Sequence, residues 1–320
     1  MRTSHRHLPW SVAGLGLAVA VMASGCGDTS DSSDSPGAGG AAAAEEQEAG
    51  ALRISAIPDT DPSDLAEREE AMGAYLAAEL GVEVEYVPVS DYAASVSLFG
   101  TGDLDLVFYG GLTGVQARLR TEGAAVLAQR DIDERFRSVF IAHRDAGLEP
   151  VEDVAGLAEL ADTRFTFGSE SSTSGRLMPS YFLDQAGVDP AADLDGEPGF
   201  SGSHDLTIDL VESGSYEVGA LNEQVWRSRT EAGTVDTETV REIFTTPEYA
   251  DYHWIGSPAM DERLGEGFTA DLRQALLDLD GSDPEEAALL EAYGAEAIIP
   301  AEASDHARIE EIGRTLGLIR

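Results

Sequence analysis

Lysine is absent from the 320 residues, so the 20 Lys+Arg positions are all arginine, against 60 acidic side chains. A formal charge of −40 leaves no surplus of cations for a phosphate backbone, which excludes nucleic acid as a partner. Without lysine there is no G-x-x-x-x-G-K-[ST] loop, and the NTPases that depend on it are excluded with it. The single cysteine, Cys26, cannot close an intramolecular disulfide. No thiol pair exists for a metal, and His143, His204, His253 and His306 are scattered, so neither metal nor cofactor is expected. Beyond the N-terminal segment no apolar run reaches the ~18 residues of a membrane-spanning helix.

That N-terminal segment is of a different kind. Arg2 and Arg6 make a basic start, "LGLAVAVMAS" is a short apolar core, and "ASGC" brings small residues up to Cys26. This is the pattern of a secretory signal. Its end resembles the lipobox of bacterial lipoproteins, with Ala23 where leucine is usual. Residues 1–26 are therefore expected to be a lipoprotein signal peptide, with Cys26 the lipidated residue and the mature chain extracytoplasmic. More than one acyl chain on Cys26 would make the anchoring stable. Residues 27–50 carry no periodic apolar face and read as a flexible linker.

From residue 51 the chain alternates strand and helix signals, the pattern of an α/β protein, and is long enough for two lobes. "ALRISAIP", "VEVEYVPV", "DLDLVFY", "AAVLAQR" and "RSVFIAHR" read as strands. Asp61 with Pro62, and Asp91, open the first two helices, and Gly81 and Gly100 end them. A first lobe is expected from 51–145 plus 250–320 and a second from 146–249. "EPVEDVAGLAELA" (149–161) and "PEYAD" (247–251) are the candidate crossings between them. In the second half "RFTFGS", "YEVGALN", "VREIFTT" and "YHWIGS" read as strands, and "DLTIDLVES" and the tail segments "EGFTADLRQALLDL" and "ARIEEIGRTLGL" as helices.

In open α/β sheets, ligands sit at the carboxyl ends of strands, where helix N-termini offer unsatisfied N–H groups and partial positive charge. Four such turns carry polar residues: Tyr92 after the cap Asp91, Tyr109 before Gly110 and Gly111, the run Ser172, Thr173 and Ser174 before Gly175, and Ser203 with His204. Several N-termini aimed at one point make an anion site without lysine. Each feature has an ordinary structural alternative: capping for the hydroxyl run, half-buried core for the tyrosines, a helix-start position for His204. A hydrolase built on Ser172, His204 and Asp205 is disfavoured, because "GSESSTSG" lacks the G-x-S-x-G elbow and adjacent His204 and Asp205 point in different directions.

The stretch "IPDTDPSDLAEREEAMGAYLAAELGVEVEYVPVSDYAA", followed by "GDLDLVFYGGLTGVQA", "FGSESSTSGRLMP", "GFSGSHD", "GALNEQVW" and "ADYHW", resembles the phosphonate/phosphite/phosphate-type substrate-binding proteins of ABC importers. "ESSTSGRLMP" with "ALNEQVW" is most similar to a branch described as selenate binders. The resemblance implies a type II periplasmic binding protein, with two α/β lobes, two crossing segments and a ligand clamped between them, and no enzymatic activity. It implies that Tyr92 and Tyr109 donate hydroxyls from the first lobe, that Ser172, Thr173 and Ser174 cradle an oxyanion from the second, that His204 adds a ring N–H, and that Asp251 approaches from a crossing. Glu223 lies where relatives recognise the organic substituent of a phosphonate. The implied partners are a small tetrahedral oxyanion, an ABC permease with its ATPase, and the membrane through the lipid anchor. The chain is expected to be a monomer, and a sensory or scavenging module of the same fold is the alternative. An ionised Asp251 can accept only from a ligand that carries a proton, which ranks phosphite, phosphonate or phosphate above selenate.

Overall fold

The structure, a computed structural model, describes residues 50–319. The expected signal peptide with Cys26, and the linker before residue 50, lie outside the described residues.

Local signals in the first half act where the sequence places them. β1 (Leu52–Ala56) leads to α1 (Pro62–Leu80), whose cap Asp61 accepts from the Ser63 N–H and which ends at left-handed Gly81. β2 (Val84–Tyr86) is followed by α2 (Tyr92–Thr101), capped by the Asp91 carboxylate on the Ala94 N–H and closed by Gly102, not by Gly100. β3 (Leu106–Tyr109), α3 (Gly111–Arg120), β4 (Ala125–Arg130) and β5 (Ser138–His143) complete this half. Next come β6 (Phe165–Phe167), α4 (Met178–Gln185), β7 (Gly199–Phe200), α5 (His204–Glu212), β8 (Val218–Asn222), α6 (Glu223–Glu231) and β9 (Val240–Thr245). The chain then returns through β10 (His253–Gly256), α7 (Met260–Leu264), α8 (Phe268–Asp278), α9 (Pro284–Tyr293), β11 (Ile298–Pro300) and α10 (Ala307–Thr315).

The strands form two mixed sheets, ordered β11-β4-β10-β3-β1-β2 and β7-β6-β8-β5-β9. Each contains a parallel trio, β2-β1-β3 in one and β7-β6-β8 in the other. In each, the third strand of the trio pairs antiparallel with a strand arriving from the other sheet: β10 on β3, and β5 on β8. Two α/β lobes result, in the arrangement of a type II periplasmic binding protein. β3, β6 and β8 are buried on both faces, which explains their largely apolar composition.

β5 departs from the expected partition. "RSVFIAHR" was expected to belong to the first lobe, yet β5 pairs with β8 and β9. The chain therefore first changes sheet across residues 131–137, and 149–161 holds a 3-10 turn, Val154–Leu160. Period and composition mark a strand but do not say which sheet it joins. The second change of sheet spans 246–252. The two crossings are tied together: Phe136 and Tyr249 exchange N–H···O bonds of 2.9 and 3.0 Å, and the Asp251 N–H donates to the Asp133 carbonyl at 3.0 Å.

Candidate functional site

Four helical starts converge where the lobes meet. The first lobe supplies the N-termini of α2 and α3, and the second supplies α5 and a π-helical turn, Thr173–Leu177, immediately before α4. The hydroxyl run thus opens a π turn, a form that recurs at functional sites. Ser172 caps it, accepting from the Gly175 N–H at 2.9 Å. A Cβ on Gly175 would stand 3.0 Å from that Ser172 Oγ and 3.1 Å from the Gly168 Cα, so glycine lets the turn fold onto the end of β6.

At this point of convergence two hydrogen bonds join the lobes directly. Thr173 Oγ1 accepts the Leu112 N–H of α3 at 2.9 Å, beside Asp251 Oδ1, which accepts the Gly111 N–H at 2.8 Å. The first N–H groups of α3 are therefore satisfied from the opposite lobe and from a crossing. The second contact is the His204 N–H, which donates to the Asp59 carbonyl at 2.9 Å. Gly110 makes the first contact possible, since a Cβ there would lie 3.3 Å from both Asp251 Oδ1 and Thr173 Oγ1.

Tyr252 organises the far side. Its hydroxyl donates to Asp59 Oδ2 at 2.8 Å, accepts from Asn222 Nδ2 at 3.2 Å and lies 3.5 Å from His204 Nε2. Its ring stacks on Phe108 at 5.2 Å, and the Arg130 guanidinium sits 4.8 Å from its centroid. His204 Nδ1 accepts the Asn222 N–H at 3.3 Å, which assigns the ring proton to Nε2. Burial lowers the His204 pKa, against the pull of Asp59 and Asp205, so the ring is neutral and a single N–H donor.

Four polar atoms in this network are buried without a hydrogen-bond partner: Tyr92 Oη, Ser174 Oγ, Asp59 Oδ1 and Asp251 Oδ2. Tyr92 lies beside the Ser172 hydroxyl; burial first, then the charges of Asp59 and Asp251, raise its pKa far above the usual phenol value, so it keeps its proton. Burial pushes Asp251 up to about 7, and Asp133 adds to the rise, while the Gly111 N–H, the Thr173 hydroxyl and Arg130 pull the other way. A native structure satisfies nearly all of its buried polar atoms, so this concentration of unsatisfied ones is a ligand signal.

Of the sequence-predicted residues, Tyr92, Ser172, Thr173, Ser174, His204 and Asp251 come together here. Tyr109 does not offer its hydroxyl as expected. It points into the first lobe, donates to the Ser95 carbonyl at 2.9 Å and packs edge-on against Phe99. Its single proton is committed, which fits the bland alternative for a buried strand-end tyrosine. Glu223, the first residue of α6, is held by Arg227 at 2.6 Å and lines an adjoining cavity of about 920 Å³ instead of the buried network. Asp59, Asn222 and Tyr252 separate the two spaces, since they line the cavity and also take part in the network. Sequence reasoning missed Asp59 and Tyr252. The signal for Asp59 was a carboxylate just past the end of β1, and for Tyr252 an aromatic next to Asp251 in a crossing.

No serine hydrogen-bonds a histidine among the described residues, so the Ser172–His204 pairing of a hydrolase is not formed. Among the described residues no group of three or more His, Cys, Asp or Glu side chains is arranged to hold a metal ion, and no helix is long and apolar enough to cross a membrane.

Compared with known proteins, residues 54–306 match the family described as "ABC transporter, phosphonate, periplasmic substrate-binding protein". The chain is 46% identical over 269 residues to the "Probable ABC transporter phosphite binding protein PhnD1" of Prochlorococcus marinus strain MIT 9301, covering 84% of this chain and 91% of that one. A solved structure of PhnD1 from the same organism, in complex with methylphosphonate, superposes with a TM-score of 0.82 at 46% identity, covering 84% of this chain and 99% of that one. The "Phosphate-import protein PhnD" of Mycolicibacterium smegmatis is 29% identical over 177 residues, 52% of this chain and 54% of that one. The similarity to selenate binders has no support in these relatives, whose names run to phosphite, phosphonate and phosphate.

Proposed function

The chain belongs to the phosphonate family of periplasmic ABC-transporter substrate-binding proteins, and from that premise we propose that it captures phosphite, a small phosphonate or phosphate by closing its two lobes about the crossings. The family consists of transport components, not enzymes, and capture requires no chemical step. The observation that carries this reading is the set of four unpartnered buried polar atoms, two donors and two acceptors, contributed by both lobes and one crossing. A tetrahedral oxyanion with a proton satisfies such a set: its oxygens accept from Tyr92, Ser174, the His204 Nε2–H and the opening N–H groups of the π turn, and its O–H faces a carboxylate. Closure would exchange the ligand's hydration shell for these bonds.

Among the described residues no cationic side chain hydrogen-bonds the network, which is consistent with this chemistry. Helix starts supply the positive potential, and surface carboxylates are screened within ~8–10 Å at ordinary salt. Lipidation of Cys26 and delivery to a permease with its ATPase complete the proposal. Titration calorimetry with phosphite, methylphosphonate, phosphate and sulfate tests the core of it. Binding of at least one phosphorus oxyanion is expected, and no heat with any of them refutes the reading. Incorporation of labelled fatty acid, lost in Cys26→Ser, tests the anchor separately.

A further inference from the structure

Asp59 belongs to no expected site, yet it is held from several directions. It lies in the turn between β1 and α1, where its own N–H donates to the Ile57 carbonyl at 2.9 Å. It is only 3% exposed. Its main-chain carbonyl receives the His204 N–H from the opposite lobe, and its Oδ2 receives the Tyr252 hydroxyl from the crossing. Oδ1 is left buried and unpartnered. A carboxylate only accepts hydrogen bonds, so Oδ1 needs a donor. Of the nearby protein donors, the Tyr252 proton goes to Oδ2 and the His204 N–H to the Asp59 carbonyl; Arg68 bonds Glu69 through its Nε at 2.9 Å, and its buried Nη2, itself without a partner, makes no hydrogen bond to Oδ1.

We propose that Asp59 is a specificity-determining residue that reads a proton on the ligand. Its Oδ1 accepts from an acidic P–OH, so the site takes the singly protonated phosphite or phosphonate and turns away tetrahedral oxyanions that carry no proton. This rests on the oxyanion reading above and sharpens it. A fully deprotonated anion would bring no proton to the unpartnered Asp59 Oδ1 in a desolvated space, and unpaired like charge is expensive there. The groups within electrostatic reach of Asp59 do not relieve it. Tyr86, Tyr92 and Tyr252 keep their protons, His204 is neutral, and the charges of Arg68 and Glu69 offset each other.

The test is calorimetry on the full chain with methylphosphonate and with sulfate, at steps from about pH 6 to about pH 9. The native protein is expected to lose methylphosphonate affinity by about tenfold per pH unit once the ligand gives up its last proton. It is expected to bind sulfate at least ~100-fold more weakly than methylphosphonate at the acid end. Asp59→Asn keeps an oxygen for Tyr252 and turns an amide N–H towards the ligand, so it should flatten the pH dependence and bring sulfate to within about tenfold. Asp251→Asn removes the other acid of the network and should leave a slope and a preference for methylphosphonate over sulfate that Asp59 alone accounts for. The proposal is overturned if Asp59→Asn keeps the native slope and selectivity, or if Asp251→Asn alone abolishes them. Equal affinity of the native protein for sulfate and methylphosphonate overturns it without any variant. Failure of the native protein to bind any phosphorus oxyanion overturns instead the oxyanion reading on which it rests.

Discussion

The buried network and the cavity beside it share a wall, but they manage charge in opposite ways. Six arginines line the cavity, and five of them are ion-paired: Arg68 with Glu69, Arg130 with Asp133, Arg137 with Glu248, Arg227 with Glu223, and Arg229 with Asp205. No arginine hydrogen-bonds Tyr92, Ser172, Thr173, Ser174, His204, Tyr252 or Asp251 among the described residues; Arg130 acts only through the Tyr252 ring and at a distance on Asp251. The cavity is therefore rich in cations that already have anions. The network has few formal charges, but it holds donors and acceptors that lack partners. For a chain at −40 this division makes sense, because a free arginine would be captured by one of the many carboxylates, whereas a backbone N–H or a hydroxyl fixed at a helix start would not.

If the network is the strained member of the pair, relieving it should show first in stability. Asp251 is the strongest case. Its folded pKa of about 7 lies above the ordinary aspartate value, so between about pH 4 and about pH 7 the folded state holds a proton that the unfolded chain has released. Stability from this group is fully present below about pH 4, falls as pH rises, and is lost above about pH 7. A three-unit rise corresponds to at most ~4 kcal/mol. Asp251→Asn should therefore stabilise the ligand-free protein by ~1–4 kcal/mol above about pH 7.5 and hardly at all near pH 4. Urea denaturation of variant and native protein across that range measures the difference. A variant that is equally destabilised at every pH would mean that Asp251 is not the buried acid described here.

The hydroxyls give the next largest effect, with opposite signs in two measurements. Tyr92→Phe and Ser174→Ala each remove a buried donor with no protein partner. Losing a bond to a charged oxyanion costs ~1.5–3 kcal/mol, or about 10- to 100-fold in affinity. The ligand-free protein should be unchanged or more stable by up to ~1 kcal/mol, since an unsatisfied polar atom has gone. Calorimetry and thermal unfolding together decide this. A variant that loses stability and affinity in parallel would place its hydroxyl in the packing of the lobe, as Tyr109 is.

Much of this contrast was legible in the sequence, and for a common reason. Tyr92, Ser172, Thr173, Ser174 and His204 follow strand signals and open helices, so local pattern and capping chemistry place them at one edge of a sheet. Asp251 stood out less on local pattern and depended on the resemblance. The failures were of another type. Tyr109 also ends a strand, but the direction of one side chain decides whether its hydroxyl meets Ser95 or a ligand, and spacing does not encode that choice. The assignment of β5 to the wrong lobe is a question of non-local pairing, settled by contacts with β8 and β9. α6, α9 and β11 escape a reading of the sequence because the mostly polar α6 buries only Trp226, α9 is weakly amphipathic and β11 is short, which leaves little periodic signal. Asp59 and Tyr252 identify themselves only through partners that are distant in the chain, one at each end of a single hydrogen bond.

The smallest predicted effect is the one that would most directly break the comparison. Arg227 reaches into the cavity and holds Glu223 at 2.6 Å, one helical turn away on α6, with its own side chain 66% exposed. Exposed pairs of this spacing contribute ~0.3–0.5 kcal/mol, and salt screens them further. If the cavity is only a paired-charge surface next to the site, Arg227→Ala should change stability by no more than ~0.5 kcal/mol and affinity for phosphite or methylphosphonate by less than about twofold. If instead the ligand draws on the cavity, the same substitution frees Glu223 in view of the Asp59–Tyr252 wall and should weaken an anionic ligand measurably. A loss of more than about tenfold, disappearing at high salt, would show that the cavity's charges act on the ligand after all and that the two spaces form one site.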